Sequence, residues 1–269
     1  MLAFAANSLL CRLALQQAAI DPTSFGSIRL VSGALMLALI VRVKGGRSQP
    51  AKADWLAAAM LFAYVAFFSF AYLSLSAGTG ALLLFGAVQL TMFTAGLRAG
   101  EVFAPLAWGG LTLAVGGLVY LVSPGLAAPA PLGAALMAAA GVAWGVYSLR
   151  GRGAGDPLAA TAGNFLRAAP MALLLSVLLA GSARATPGGV ALAVASGTIT
   201  SGIGYVIWYA ALNGLTALRA ATVQLSVPPV AAFGGVLMLG EPISLRLALA
   251  SSAILGGIAI VLTSRSHAR

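Results

Sequence analysis

Residues 100–123 read GEVFAPLAWGGLTLAVGGLVYLVS, and residues 240–263 read GEPISLRLALASSAILGGIAIVLT. Both stretches open on Gly-Glu and carry an adjacent glycine pair, Gly116-Gly117 or Gly256-Gly257. Each closes on a hydroxyl residue, Ser123 or Thr263, and the offset stays at 140 throughout. Neither alternates apolar and polar side chains as a barrel strand would. Each is an apolar run long enough to cross a bilayer as a helix. Working outward, Asp21-Pro22 matches Asp156-Pro157 at an offset of 135, and Ser76-Ala77-Gly78-Thr79 matches Asn213-Gly214-Leu215-Thr216 at 137. The chain is read as two copies of one plan, 1–125 and 126–269, separated by short insertions.

Composition places both copies in lipid. Of 269 residues, 15 are Lys or Arg and 5 are Asp or Glu; apolar residues make up 61%, and the mean hydropathy is +1.01. A charged fraction of 7% is too small to cover a soluble domain, which carries roughly 25%. Ten spans of about 20 residues leave connections of roughly 7 residues each, too short for a soluble domain. Any chemistry must therefore lie inside the bundle. The net charge of +10 comes from single basic residues scattered along apolar runs, which fits membrane topology and argues against a nucleic-acid partner.

Glycine, proline and charged punctuation divides the chain into ten spans. These are 2–19, 23–42, 55–74, 79–98, 103–122, 131–149, 158–180, 188–211, 215–238 and 243–263. If they alternate in direction, Arg42, Lys44, Arg47, Lys52, Arg98, Arg150, Arg152, Arg265 and Arg269 share one side, against Arg184 and Arg246 on the other. That bias puts both termini in the cytoplasm of a bacterial-type inner membrane. Met1 leads into an apolar run without a basic segment, so no cleavable signal peptide is expected. Five spans per copy is an odd number, so the second copy must be inverted. Inverted repeats are a common architecture of secondary transporters, with substrate held near the midplane between them.

The repeated Gly-Glu pairs have a local reading. Gly100 and Gly240 end one helix in the left-handed conformation. Glu101 and Glu241 are then expected at the next helix's N-terminus, where the dipole favours an anion, with Pro242 in the first turn. Asp21-Pro22 and Asp156-Pro157 read as the same kind of punctuation.

Two five-span repeats, each with a Gly-Glu junction and a later glycine pair, resemble the drug/metabolite transporter superfamily of EamA type. The resemblance covers essentially the whole chain. It implies export of amino acids and other metabolites, with YddG-type aromatic amino-acid exporters as one branch, and it is the only basis for export over import. The family's first-half counterpart of Pro228 is often proline, whereas Thr91 stands here.

Polar and aromatic residues inside the spans are the candidates for a substrate site. Tyr64, Phe68 and Tyr72 form an i, i+4, i+8 stripe on span 3. Trp144 and Tyr147 lie on span 6, with Ser148 adjacent. Tyr205, Trp208 and Tyr209 lie on span 8, with Ser201 one turn earlier. Together they suit a planar or apolar substrate body, although belts at the membrane interface and plain packing use the same residues. Asn7 and Ser8 on span 1, Gln89 and Thr91 on span 4, Asn164 on span 7, and Gln224 and Ser226 on span 9 offer neutral donors and acceptors for an amino-acid backbone. Hydrogen bonding between helices is their alternative use. Any one of Arg12, Arg29 and Arg167 could bind a substrate carboxylate by a bidentate contact, with snorkelling to the headgroups as the cheaper reading. Arg12, nearest mid-span, is the one expected to meet a substrate carboxylate. Pro228-Pro229 must interrupt the backbone ladder, and Gly78, Gly80, Gly202 and Gly204 permit close contact or flexing.

No cofactor or metal is expected. One cysteine, Cys11, and one histidine, His267 in the C-terminal tail, leave no metal cluster and no Ser-His-Asp arrangement. Lys44 and Lys52 share one loop, so a Ser-Lys dyad is absent too, and the chain is read as a non-enzyme. All five carboxylates fall at span ends, which predicts facilitated transport by alternating access without a proton-carrying group in the pathway. The expected substrates are amino acids, aromatic or large neutral ones favoured, carried by a monomer among membrane lipids. A phosphorylated or nucleotide-linked sugar antiporter, or a channel, is the alternative.

Overall fold

Short polar side chains set the helix starts in this chain. The computed structural model describes residues 1–44, 54–100, 102–125, 128–151, 156–212 and 223–264. Its helices are α1 (Leu2–Gln16), α2 (Pro22–Val43), α3 (Trp55–Ala71), α4 (Ala77–Arg98), α5 (Pro105–Val122), α6 (Pro131–Gly151) and α7 (Pro157–Leu178). Then come α8 (Pro187–Ala195), a π-helical segment (Ser196–Ile203), α9 (Gly204–Leu212), α10 (Val227–Leu239) and α11 (Leu245–Thr263). Asp21 accepts from the N–H groups of Thr23 and Ser24 at the start of α2. Asp156 does the same for Leu158 and Ala159 at the start of α7. Asp54, Ser76 and Ser244 cap α3, α4 and α11. Each such cap contributes roughly 1 kcal/mol.

Among the described residues seven helices are long and apolar enough to cross a membrane, and α1, α3 and α10 are shorter apolar helices beside them. α8, the π-helical segment and α9 run on as one such helix, Pro187–Trp208. An isolated antiparallel bridge joins Ile20 and Ala185. Large apolar side chains such as Leu174, Val177, Leu178, Leu237 and Leu245 are exposed. Water would penalise such a surface and hydrocarbon does not. This is a multi-pass membrane protein.

Two local expectations change. Gly100 and Gly240 do adopt positive φ, +84° and +65°, and Gly240 ends α10. However, α11 begins at Leu245 behind the Ser244 cap, so Glu241 and Pro242 belong to the connection and not to a first helical turn. The span expected at 215–238 is not one continuous helix over its described part. A turn at Leu225-Ser226 precedes α10, and Pro228-Pro229 fall in its first turn, where missing N–H groups cost little. α4, with Thr91 at the matching place, is unbroken, and the Thr91 hydroxyl donates back to Ala87 O at 2.8 Å. Glu101, Asn213–Thr216, residues 215–222, His267 and the side chain of Tyr209 lie outside the described residues.

The larger contacts pair α2 with α7, α4 with α10 and α5 with α11. α3 lies on α6 and α7, while α8 and the π-helical segment lie on α1 and α2; α4 lies on α6, and α10 on α1. Exchanging α1, α2, α3, α4 and α5 for α6, α7, the α8–α9 run, α10 and α11, in that order, maps these pairings onto themselves. α5 and α11 cross closely and antiparallel. A Cβ on Gly110 would stand 2.6 Å from Gly257 O, and one on Gly117 would stand 2.9 Å from the Ala253 methyl. Close backbone approach of this kind holds helices together where lipid removes the hydrophobic drive.

Candidate substrate site

Arg29 sits eight residues into α2, roughly 10 Å from its N-cap, and is 1% exposed. It does not snorkel. Nε donates to Ser201 Oγ at 3.1 Å and Nη2 to Tyr64 Oη at 3.3 Å. The guanidinium carbon lies 5.2 Å from the Tyr64 ring centroid and 5.3 Å from that of Phe68, a cation–π arrangement on two rings. Neither ion pair among the described residues includes Arg29, and Nη1 has no described hydrogen-bond partner.

Polar groups from both halves of the chain surround it. Asn7 on α1 donates to Tyr64 Oη at 3.3 Å. Its carbonyl oxygen accepts from Ser196 at 2.6 Å and Thr200 at 3.3 Å. Ser196, Thr200 and Ser201 all come from the π-helical segment, whose wider turn is a frequent feature of functional sites. Gly197 lets this segment lie on α2, because a Cβ there would collide with Arg29 O and Ser32 Oγ.

The aromatic wall is continuous. Tyr64 lies 5.3 Å from Phe68 and 4.9 Å from Trp144, centroid to centroid. Phe68 meets Tyr72 at 4.8 Å, and Trp144 lies 5.5 Å from Tyr147 and 5.4 Å from Tyr205. Phe4 stands edge-on to Trp144, Tyr205 and Trp208, and Phe165 packs on Tyr205. Of the expected residues, then, Asn7, Tyr64, Phe68, Trp144, Tyr147 and Tyr205 join one buried cluster. Tyr72 closes its edge, donating to Ala77 O at 3.3 Å, and Trp208 is half-buried at its margin. Ser8, Gln89 and Asn164 are buried. Gln224 is half-buried before α10, and Gln89 Nε2 and Gln224 Oε1 have no described partner. Gly78, Gly80, Gly202 and Gly204 all serve close packing, against Ala232, the Tyr72 ring, Met36 and Ala3 respectively.

Arg12 is not in the cluster. Its Nε is 2.9 Å from Glu241 Oε1, and Nη1 donates to Tyr72 O at 2.9 Å. Glu241 Oε2 accepts from Ala77 N at 2.8 Å. The expectation that Arg12 would meet a substrate carboxylate is thus replaced by an ion pair to a carboxylate 229 residues away. Arg167 lies 6.0 Å from the Trp55 ring. At the same end of the bundle as Arg12, Asp21 Oδ2 accepts from Arg184 N at 3.0 Å. Thr186 N donates to Ala19 O at 2.8 Å, and Arg246 donates to Leu121 O, Ser123 O and Pro124 O. Apart from the Arg12–Tyr72 hydrogen bond, each of these ties joins the first half of the chain to the second.

The EamA-like transporter family matches residues 131–263, from the first residue of α6 to the last of α11. This chain belongs to the EamA-like transporter family. It is a membrane transporter of the drug/metabolite type. An uncharacterised protein of Pseudomonas aeruginosa, PA1977, is 55% identical over 98% of this chain and 92% of its own length. A solved crystal structure shares the fold with a TM-score of 0.68. It is 21% identical and covers 97% of this chain and 95% of that one.

Several parts of this cluster are not singled out by the sequence. Phe4 and Phe165 look like any apolar residue in a span. Ser196 and Thr200 carry a signal beside the expected Ser201, since SGTITSG at 196–202 is an unusually polar and small run inside an apolar span. Snorkelling is the cheaper expectation for Arg29 because a lone arginine in an apolar span shows nothing of the neighbours that bury it.

Proposed function

We propose that the protein is a secondary carrier built from two inverted five-span repeats, 1–125 and 126–269. It moves amino acids, aromatic or large neutral ones favoured, and related small metabolites by alternating access. The observation that carries this reading is the aromatic cluster itself. Tyr64 and Phe68 come from the first half, Trp144 and Tyr205 from the second, so relative movement of the halves would open and close the cluster around a planar body. The exchange-symmetric contacts, and a family match that begins and ends with spans 6–10, support the repeat. Export, a bacterial inner membrane and cytoplasmic termini follow from the resemblance and the charge bias.

The described carboxylates support facilitated transport. Asp21, Asp54 and Asp156 cap helices and Glu241 holds Arg12, so none faces the cluster. A phosphorylated sugar is the weaker substrate reading, because Arg12 and Arg167 are engaged elsewhere and, among the described residues, a single guanidinium faces the cluster.

Purified protein in proteoliposomes tests the carrier reading. Labelled phenylalanine should enter saturably and faster when the vesicles are preloaded with unlabelled phenylalanine. Linear uptake without this trans-stimulation would indicate a channel. Accumulation driven by an imposed pH gradient would replace facilitated transport by proton coupling.

A further inference from the structure

We propose that Arg29 Nη1 and the Tyr64 hydroxyl together form the anchor for a substrate carboxylate, so that the transporter selects for a carboxylate joined to an apolar or aromatic body. This rests on the carrier reading above and names the charge chemistry of the same site.

The argument is one of unmet hydrogen bonding and charge. A guanidinium keeps its proton in any protein interior and presents five N–H groups with no acceptor of its own. Burying it is costly unless charge and hydrogen bonds are matched. Around Arg29 the compensation is partial: Ser201 and Tyr64 accept from Nε and Nη2, two ring faces offset some of the charge, and Nη1 is left without a described acceptor. No carboxylate is paired with it among the described residues.

Tyr64 supplies the second donor. Its oxygen already accepts from Asn7 Nδ2 and Arg29 Nη2, each at 3.3 Å. With both lone pairs used, the phenol can only donate its own proton to a further partner. Asn7 is fixed in this role, because Ser196 and Thr200 occupy its carbonyl oxygen. Two donors, one of them cationic, thus adjoin one another, which matches the two oxygens of a carboxylate. The Trp144 ring beside Tyr64 would receive the apolar body. One cation neutralises one carboxylate. A dianionic phosphate would leave a net negative charge buried.

Three probes with the same ring and different charge separate the terms: phenylpyruvate (a carboxylate alone), phenylalanine (a carboxylate and an ammonium) and phenethylamine (an ammonium alone). Binding to the purified wild type is read by thermal shift and by equilibrium dialysis. The two carboxylates should bind and raise Tm, while the amine should bind at least about 30-fold more weakly, as expected when a buried charge pair cannot form. Arg29→Gln should lose both carboxylates by a similar factor, Arg29→Lys should recover part of the loss, and Tyr64→Phe should weaken both by about 5-fold with the fold intact. Amine binding equal to carboxylate binding in the wild type overturns the proposal even if Arg29→Gln fails to fold. So does unchanged carboxylate affinity in Tyr64→Phe and Arg29→Lys. Phenylalanine counterflow that persists in a folded Arg29→Gln variant overturns the anchor and leaves the carrier reading standing. No binding of either carboxylate to the wild type removes both the anchor and the amino-acid assignment.

Discussion

Arg12 Nε and Glu241 Oε1 lie 2.9 Å apart with side chains only 16% and 10% exposed, tying α1 to the connection between α10 and α11. The same carboxylate reaches Ala77 N at the start of α4. Removing one partner leaves the other charge poorly solvated, a loss of up to about 3 kcal/mol. Arg12→Gln and Glu241→Gln should each lower Tm in detergent, and the double variant should lose clearly less than the sum of the two. Additive losses would show that the pair does not act as a unit.

Within the glycine pairs, only one member of each is expected to matter. A Cβ on Gly257 would strike Gly110 O and stand 2.6 Å from Ala114 N, both backbone, whereas one on Gly256 meets nothing within 4 Å. Gly257→Ala should destabilise by about 2 kcal/mol or more. Gly256→Ala should be neutral or should gain up to about 1 kcal/mol from helix propensity. Thermal unfolding in a single detergent checks both, and equal behaviour of the two would contradict the antiparallel α5–α11 crossing.

Asp21 gives a pH dependence. Burial alone would raise its pKa, but hydrogen bonds from Ser24, Thr23 and the Arg184 N–H outweigh that and hold the carboxyl at about 2, against an ordinary value of 3.8. A group whose folded pKa lies below its unfolded one stabilises the fold above the unfolded value. That stabilisation is lost as pH falls through the folded value. It amounts to roughly 2 kcal/mol. Wild-type Tm should therefore drop between about pH 4 and pH 2 more steeply than that of Asp21→Asn, which should already be lower at pH 7. Parallel Tm curves for the two proteins would contradict the assignment.

What was legible in the sequence was local. Asp21 and Asp156 cap helices because a carboxylate needs only the next two or three N–H groups, which the sequence itself supplies. The Tyr64–Phe68–Tyr72 stripe follows from helical spacing, and its rings do meet in order, tilted and then edge to face. Partners distant in sequence were not legible. Arg29 is held by residues 35 and 172 positions away, and nothing in LVSG or its flanks announces them. Gly240 and Pro242 predict a helix-start anion at Glu241. The distant Arg12 instead draws it into an ion pair, and Ser244 takes the capping role. The π-helical turn at Ser196–Ile203 has the hydropathy of ordinary helix, so only its excess of small polar residues hinted at it.

The most direct test of a substrate site between the two halves is phenylalanine counterflow in proteoliposomes of Trp144→Ala and Tyr205→Ala, alongside the wild type at matched protein incorporation. Both side chains belong to the second half and meet rings of the first, Tyr64 and Phe4. The account predicts that either change abolishes saturable exchange or raises its half-saturation concentration at least about 10-fold, the loss expected when a large aromatic contact is truncated at a binding site. Exchange with unchanged half-saturation in both folded variants would contradict it and move the substrate away from this cluster.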